Sequence, residues 1–253
     1  MAFKRLIAMV PVQDGQVVMS YGYTRHKPAG GLGSVLRNLD RWGVDEIAVI
    51  DISLGLKAPD FSLLEQVRRA AIRTPVAFGG GIRRSEHAVR AIALGCDRVI
   101  VETLLWTAQE EVARIGLAVG QQAIIGATPL AMHAGVLHAR QAHGSESLPW
   151  DEFSARIADA AISELLLIDR EHEGGIGSHA IASQVPVRKD GPKIIWFGGI
   201  GEEQAAALLA RPDTVGLAVG NAFLRKELSA LEYRTRISTS GRASLVRHVR
   251  AHG

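Results

Sequence analysis

Eight short runs of apolar, largely β-branched residues recur along this chain, and stretches of helical pattern separate them. The runs are RLIAMVPV, EIAVIDI, PVAFGGG, RVIVET, QAIIGA, ELLLID, KIIWFGG and VGLAVG; SLLEQVRRAAIR, SEHAVRAIALG, AQEEVARIGLAVG and EEQAAALLA lie between them. Apolar spacings of three and four mark the latter as amphipathic helices. A strand that is apolar on both faces must be covered on both, as in a parallel sheet wrapped by helices. Eight such units predict an α/β fold, a single (β/α)8 TIM barrel. A chain of 253 residues, 47% hydrophobic, is long enough to bury such a core as one domain over residues 1–253.

A second regularity divides the barrel in two. Glu46 and Glu164 open matching runs, Asp51 and Asp169 end them, Gly80 and Gly198 sit in matching glycine turns, and Pro11 and Pro129 share the spacing. Each pair is 118 residues apart. A constant offset across strands and loops predicts two half-barrels, about residues 1–120 and 121–240, followed by a basic tail over 234–253.

In a βα barrel, reactive groups stand at the C-terminal strand ends and stability determinants at the N-terminal ends. The C-terminal rim offers Pro11 and Gln13 after the first strand, Asp51 after the second, Glu102 and Thr103 after the fourth, and Pro129 after the fifth. Asp169, Glu171, His172 and Glu173 follow the sixth, and Asn221 the eighth. Asp51 and Asp169, related by the repeat, are a candidate acid–base pair facing across the mouth, with His172 and Glu102 as auxiliaries. Either aspartate has a plainer use as a helix cap or loop hydrogen-bond acceptor.

The glycines add a binding site. FGGGIRRSEH (78–87) and FGGIGEEQ (197–204) each run from a strand through glycines into a helix start, where free N–H groups and the helix dipole favour phosphate. Thr103 in VETL and Asn221 in VGNA stand at the next strand ends. One cradle per half predicts a ligand with a phosphate at each end; the alternative is that tight βα turns need glycine for their geometry.

KRLIAMVPVQDGQVV, GVDEIAVIDIS, FGGGIRR, GCDRVIVET, GQQAIIGA and FGGIG, in this order and spacing, resemble the landmarks of the HisF family, the cyclase subunit of imidazole glycerol phosphate synthase. The resemblance covers nearly the whole chain. It implies a barrel that takes ammonia from a glutaminase (HisH-like) partner at its N-terminal face and uses it on a bis-phosphorylated substrate at the C-terminal rim. It implies phosphate contacts at Gly81 and Thr103 in one half and at Gly174, Gly199, Gly220 and Asn221 in the other. It also implies an ammonia gate of alternating charges, Arg5, Glu46, Arg98 and Glu164, with Asp97 turned toward the partner. Read by chemistry alone, the same four are salt bridges on the stability face. No cofactor or metal is implied.

The sequence departs from that family where the chemistry is done. The family's two catalytic aspartates fall at Pro11 and Pro129, and proline neither accepts nor donates a proton. A basic residue that helps hold a phosphate falls at Met19, and an Asn-Thr pair becomes Glu102-Thr103, with a negative charge beside a proposed phosphate. The loop DREHEGG is more acidic than the family pattern. VGNAFLRKELSALEYR resembles the ending of a branch associated with glycosyl amidation, in which ammonia goes to a nucleotide-activated sugar. Three functions stay open: an ammonia-using synthase subunit acting on a phosphorylated or nucleotide-linked sugar, the histidine-pathway cyclase, and a non-catalytic partner of a glutaminase. His26 and Lys27, in TRHKPAGG, are read as residues of a long loop within reach of an anionic ligand.

Charge and cysteine content narrow the setting. The net charge is +3, and Arg234, Arg236, Arg242, Arg247 and Arg250 gather near the end. Without interleaved aromatic residues they read as a solvated final helix rather than a nucleic-acid surface. A lone Cys96 rules out an internal disulfide framework and reads as a buried, inert thiol in a reducing cytoplasm. The start, MAFKRLIAMVPVQDG, reaches Gln13 and Asp14 too soon for a signal peptide, and no apolar run is of membrane length.

Overall fold

The computed structural model describes residues 4–175, 180–188 and 190–237. Its barrel strands are β1 (Arg5–Gln13), β2 (Glu46–Asp51), β3 (Val76–Gly79), β4 (Arg98–Val101), β5 (Ile124–His133), β6 (Glu164–Asp169), β7 (Lys193–Phe197) and β8 (Thr214–Val219). All pair in parallel with their neighbours, and β1–β8 and β5–β6 pairings complete a closed ring. Helices such as Leu32–Arg41, Ser85–Ala93 and Gln109–Val119 cover the outside.

Period-two alternation gives each strand two apolar faces. Ile7, Met9, Ala48, Ile100, Leu166 and Phe197 belong to the cluster that fills the interior, while Leu6, Val10, Val49 and Leu167 join the larger cluster beneath the helices. The two halves also match in register: Pro11 pairs with Ile50, and Pro129 with Ile168.

Two hairpins stand above the mouth, and the expectation of a long first loop is corrected here. β1 and β5 run past the barrel and turn back at Asp14-Gly15 and Ala134-Gly135, with φ of 49° and 80° in the first turn and 48° and 80° in the second. Two consecutive positive φ angles suit the tight turn that matches strand twist. The first hairpin continues through Gln16–Tyr21 and Arg25–Gly30, the second through Val136–Arg140 and Ser147–Pro149. His26 and Lys27 therefore lie in a strand.

In the last described helix, Ser229–Ile237, Arg236 is exposed as a solvated basic face requires, but Arg234 is not. Arg234 is only 4% exposed, and its guanidinium donates to Asp45 Oδ2 (2.9 Å) and the Gly43 carbonyl (3.0 Å). Asp45 also accepts the Leu6 N–H (2.8 Å), so this pair ties the last helix to the start of β1. A buried charge persists when it is paired and bonded in this way. Arg242, Arg247 and Arg250 lie outside the described residues. No helix among the described residues is long and apolar enough to cross a membrane.

Candidate active site

A cavity of about 600 Å³ opens at the C-terminal mouth. Its apolar wall includes Met9, Ile50, Ile168 and Phe197, with Pro11 and Pro129 contributed by strands on opposite sides of the ring. Both prolines stand where a strand has outrun one neighbour: β1 pairs with β8 only as far as Ala8, and β5 with β4 only as far as Gly126. A missing N–H is tolerated at such a place.

The hairpins are fastened over this cavity by two carboxylates, Glu173 buried and Glu102 half-buried. Glu173, 6% exposed, accepts the Ser20 hydroxyl (3.0 Å) and the Tyr23 N–H (3.3 Å), and its own carbonyl takes the Gly22 N–H (2.9 Å). Glu102 accepts the Ala142 N–H and the Thr103 hydroxyl, both at 3.1 Å. Burial pushes both carboxyl groups above the ordinary carboxylate range, against the pull of these donors. Arg170 joins the two hairpins: it lies 4.9 Å from the Tyr23 ring centre and donates to the Ala142 carbonyl (3.4 Å).

Asp51 and Asp169 do not face each other across the mouth. Ile50 and Ile168 take the inward parity, which turns the next residue on each strand toward the helix layer. Asp51 still borders the large cavity, and its Oδ1 accepts the Ser53 N–H (3.0 Å). Asp169 borders a separate space of about 30 Å³ beside Ile181 and Trp196. It accepts the His172 N–H (3.2 Å) and pairs with His172 Nδ1 (2.9 Å). Burial raises the Asp169 carboxyl, with His172 opposing. Of the four acid–base candidates, Asp51 and Glu102 line the large cavity and Asp169 and His172 do not.

The glycine turns have strong packing reasons. A Cβ on Gly80 (φ +105°) would run into the Asp51 carbonyl, and one on Gly198 (φ +106°) into that of Asp169. Gly81 is pressed by the Ala58 carbonyl, and Gly174 by that of Ser20. Gly81 and Thr103 line the large cavity, whereas Gly174, Gly199, Gly220 and Asn221 surround a neighbouring one of about 220 Å³ with Arg225. Asn221 Nδ2 donates to the Ser20 carbonyl (2.6 Å), which adds another tie to the first hairpin. Met19 sits on that hairpin opposite Lys27; His26 lines the large cavity and Lys27 does not.

At the opposite end, the four N-terminal charges meet. Arg5 reaches Glu46 (3.0 Å) and Glu164 (2.5 Å), and Arg98 reaches Glu164 (2.7 Å) and Glu46 (3.6 Å). Burial pushes the Glu46 carboxyl up despite both arginines; for Arg5, burial pulls the other way but Glu46 and Glu164 raise its pKa overall. A void of about 10 Å³ lies next to Glu46, among Ile7, Ala48 and Leu166. Asp97 is exposed nearby on the chain, where its Oδ2 accepts the Val76 N–H (2.8 Å).

Sequence reasoning passed over Tyr23, Arg83, His143 and Arg225, all of which line the two mouth cavities. The Asp14-Gly15 pair between alternating apolar residues was the available sign of the first hairpin, and so of Tyr23. His143 lies in the less regular second hairpin, between its strands Val136–Arg140 and Ser147–Pro149. Desolvation, then the charges of Arg170 and His26, hold its imidazole below the ordinary range.

A closed ring of eight parallel strands with helices between them and hairpins over its mouth belongs to the class of (β/α)8 TIM barrels. The chain is a member of the histidine biosynthesis protein family, whose family model matches residues 5–229. It is 25% identical over 248 residues to the imidazole glycerol phosphate synthase subunit HisF of Natranaerobius thermophilus, covering 95% of this chain and 98% of the relative. The HisF subunits of Thermococcus gammatolerans (29% over 181 residues) and Chlorobaculum tepidum (27% over 177 residues) each match 69% of this chain and 70% of their own length.

Proposed function

We propose that this chain is the synthase subunit of a glutamine amidotransferase, receiving ammonia from a glutaminase at the N-terminal face and transferring it to a phosphorylated or nucleotide-linked sugar at the mouth. The observation that carries this reading is the pairing of a charged ring at one end of the barrel with a hairpin-covered cavity at the other. In it, Arg5, Glu46, Arg98 and Glu164 gate the ammonia, Asp97 faces the glutaminase, and phosphate contacts come from Gly81, Thr103, Gly174, Gly199, Gly220 and Asn221. Ammonia is its own nucleophile, so the protein's tasks are proximity, water exclusion and removal of one proton. Glu102, Asp51 and His143 are among the cavity-lining groups able to take that proton; Asp169 and His172 support the rim from behind its wall.

A second reading is the histidine-pathway cyclase itself, favoured by a relative named as HisF that matches 95% of the chain. It requires acid–base groups other than Pro11 and Pro129. A non-catalytic partner of a glutaminase is the third. An ammonia-driven assay separates them: the purified chain receives the cyclase's bis-phosphorylated substrate with excess ammonium at alkaline pH. Release of imidazole glycerol phosphate establishes the cyclase. Absence of that product, with amination of a nucleotide sugar, establishes the synthase reading; glutaminase binding without either reaction leaves the third.

A further inference from the structure

The two ends of the mouth are related by the repeat but differ in charge. At the first-half end, the Thr103 hydroxyl is given to Glu102 Oε2 (3.1 Å). The N–H of Ser85, which opens the helix after the glycine turn, is given to Glu111 Oε1 (2.6 Å). Arg83 is the guanidinium on this side; its Nε donates to the Leu56 carbonyl (3.2 Å), and Glu102 brings a carboxylate to the same cavity wall. The Thr103 hydroxyl and the Ser85 N–H, two donors that would meet a phosphate here, thus already serve carboxylates.

The second-half end keeps its charge. Arg225 lines the cavity of about 220 Å³ with Gly199, Gly220 and Asn221. Its guanidinium donates to the Tyr21 hydroxyl oxygen (2.5 Å), and no carboxylate pairs with it among the described residues. Glu173 also borders this cavity, but Ser20 and Tyr23 of the first hairpin occupy its carboxylate. Glu173 and Phe197 border both cavities, so the two spaces are neighbours.

We infer that the ligand is anionic at one end only: its phosphate or pyrophosphate lies against Gly199, Gly220, Asn221 and Arg225, and a hydroxyl- or ammonium-bearing end meets Glu102 in the larger cavity. Glu102 is then a specificity residue that rejects a second phosphate. Each of its oxygens holds one intramolecular donor and keeps acceptor capacity for a ligand donor. The inference rests on the proposed phosphate recognition and narrows it to one end.

Calorimetric titration of the full chain with ribose 5-phosphate and ribulose 1,5-bisphosphate tests it. The wild type is expected to bind the bisphosphate no more tightly than the monophosphate. Glu102→Gln retains an acceptor for Ala142 and removes the charge, so it should tighten the bisphosphate about tenfold with little change for the monophosphate. Arg225→Ala should abolish binding of both. A wild type that already holds the bisphosphate tenfold more tightly overturns the inference and leaves the amidotransferase reading intact. A wild type that binds neither removes the phosphate reading and the inference together.

Discussion

Glu102, at the end of a strand in the first half, holds the backbone N–H of Ala142 in the second half's hairpin at 3.1 Å. Glu173, in the second half, holds the first half's hairpin through Ser20 and Tyr23. Each half thus fastens the other half's cover. Glu102→Ala is expected to speed amide exchange at Ala142 about tenfold, the loss of roughly 1–2 kcal/mol of hydrogen bonding, and to leave Tyr23 protected. Glu173→Ala should do the reverse. Exchange measured residue by residue decides it, and equal effects on both hairpins would refute separate fastening.

The Glu173 latch carries a pH signature. Its carboxyl is raised above the ordinary value of 4.5, chiefly by burial, so the folded protein prefers the protonated form. That preference contributes stability below pH 4.5, which is lost as pH rises through the folded-state value. Glu173→Gln keeps an acceptor for the hairpin and has no such loss. The melting temperature of the variant, relative to wild type, should therefore climb as pH increases above 4.5; a constant difference would contradict it.

Arg234 and Asp45 are 5% and 6% exposed as side chains and 2.9 Å apart. Removing one partner strands the other, so Arg234→Ala should cost about 3 kcal/mol, lowering the melting temperature by roughly 6–12 °C. A double variant replacing both with apolar residues should recover part of that loss. A melting curve unchanged in the single variant would place this helix outside the cooperative fold.

Gly80 combines a φ of +105° with a hydrogen pointing straight at the Asp51 carbonyl. Gly80→Ala should destabilise by at least about 2 kcal/mol. Gly15, also at positive φ (+80°), has nothing within 4 Å of its added Cβ, so Gly15→Ala should cost only the backbone term. Urea midpoints of the two variants give the comparison.

Cys96 is 3% exposed, and burial pushes its thiol up to about 12. A thiol-specific reagent at pH 8 should leave it unmodified in the native chain and label it once in denaturant. Rapid native labelling would show that the outer layer over β4 opens readily.

The barrel and its helix layer were legible along the chain, because period-two and helical apolar spacings are local, additive signals. The four N-terminal charges were named by the resemblance to the HisF family, which points to Arg5, Glu46, Arg98 and Glu164. Their meeting within salt-bridge distance needed the closed ring. Other features depended on direction rather than position. Asp51 and Asp169 end their strands as read, but the inward parity of Ile50 and Ile168 turns both toward the helix layer, so that of the two only Asp51 borders the mouth cavity. Arg234 belongs to a basic helix by composition, yet Asp45 and Gly43, nearly two hundred positions away, bury it. Tyr23, His143 and Arg225 join the site through hairpins and loops folded back over it. Sequence periodicity determined which elements form and in what order. Only tertiary packing decided which side chains share a cavity, because that depends on strand parity, barrel closure and contacts between residues far apart in the chain.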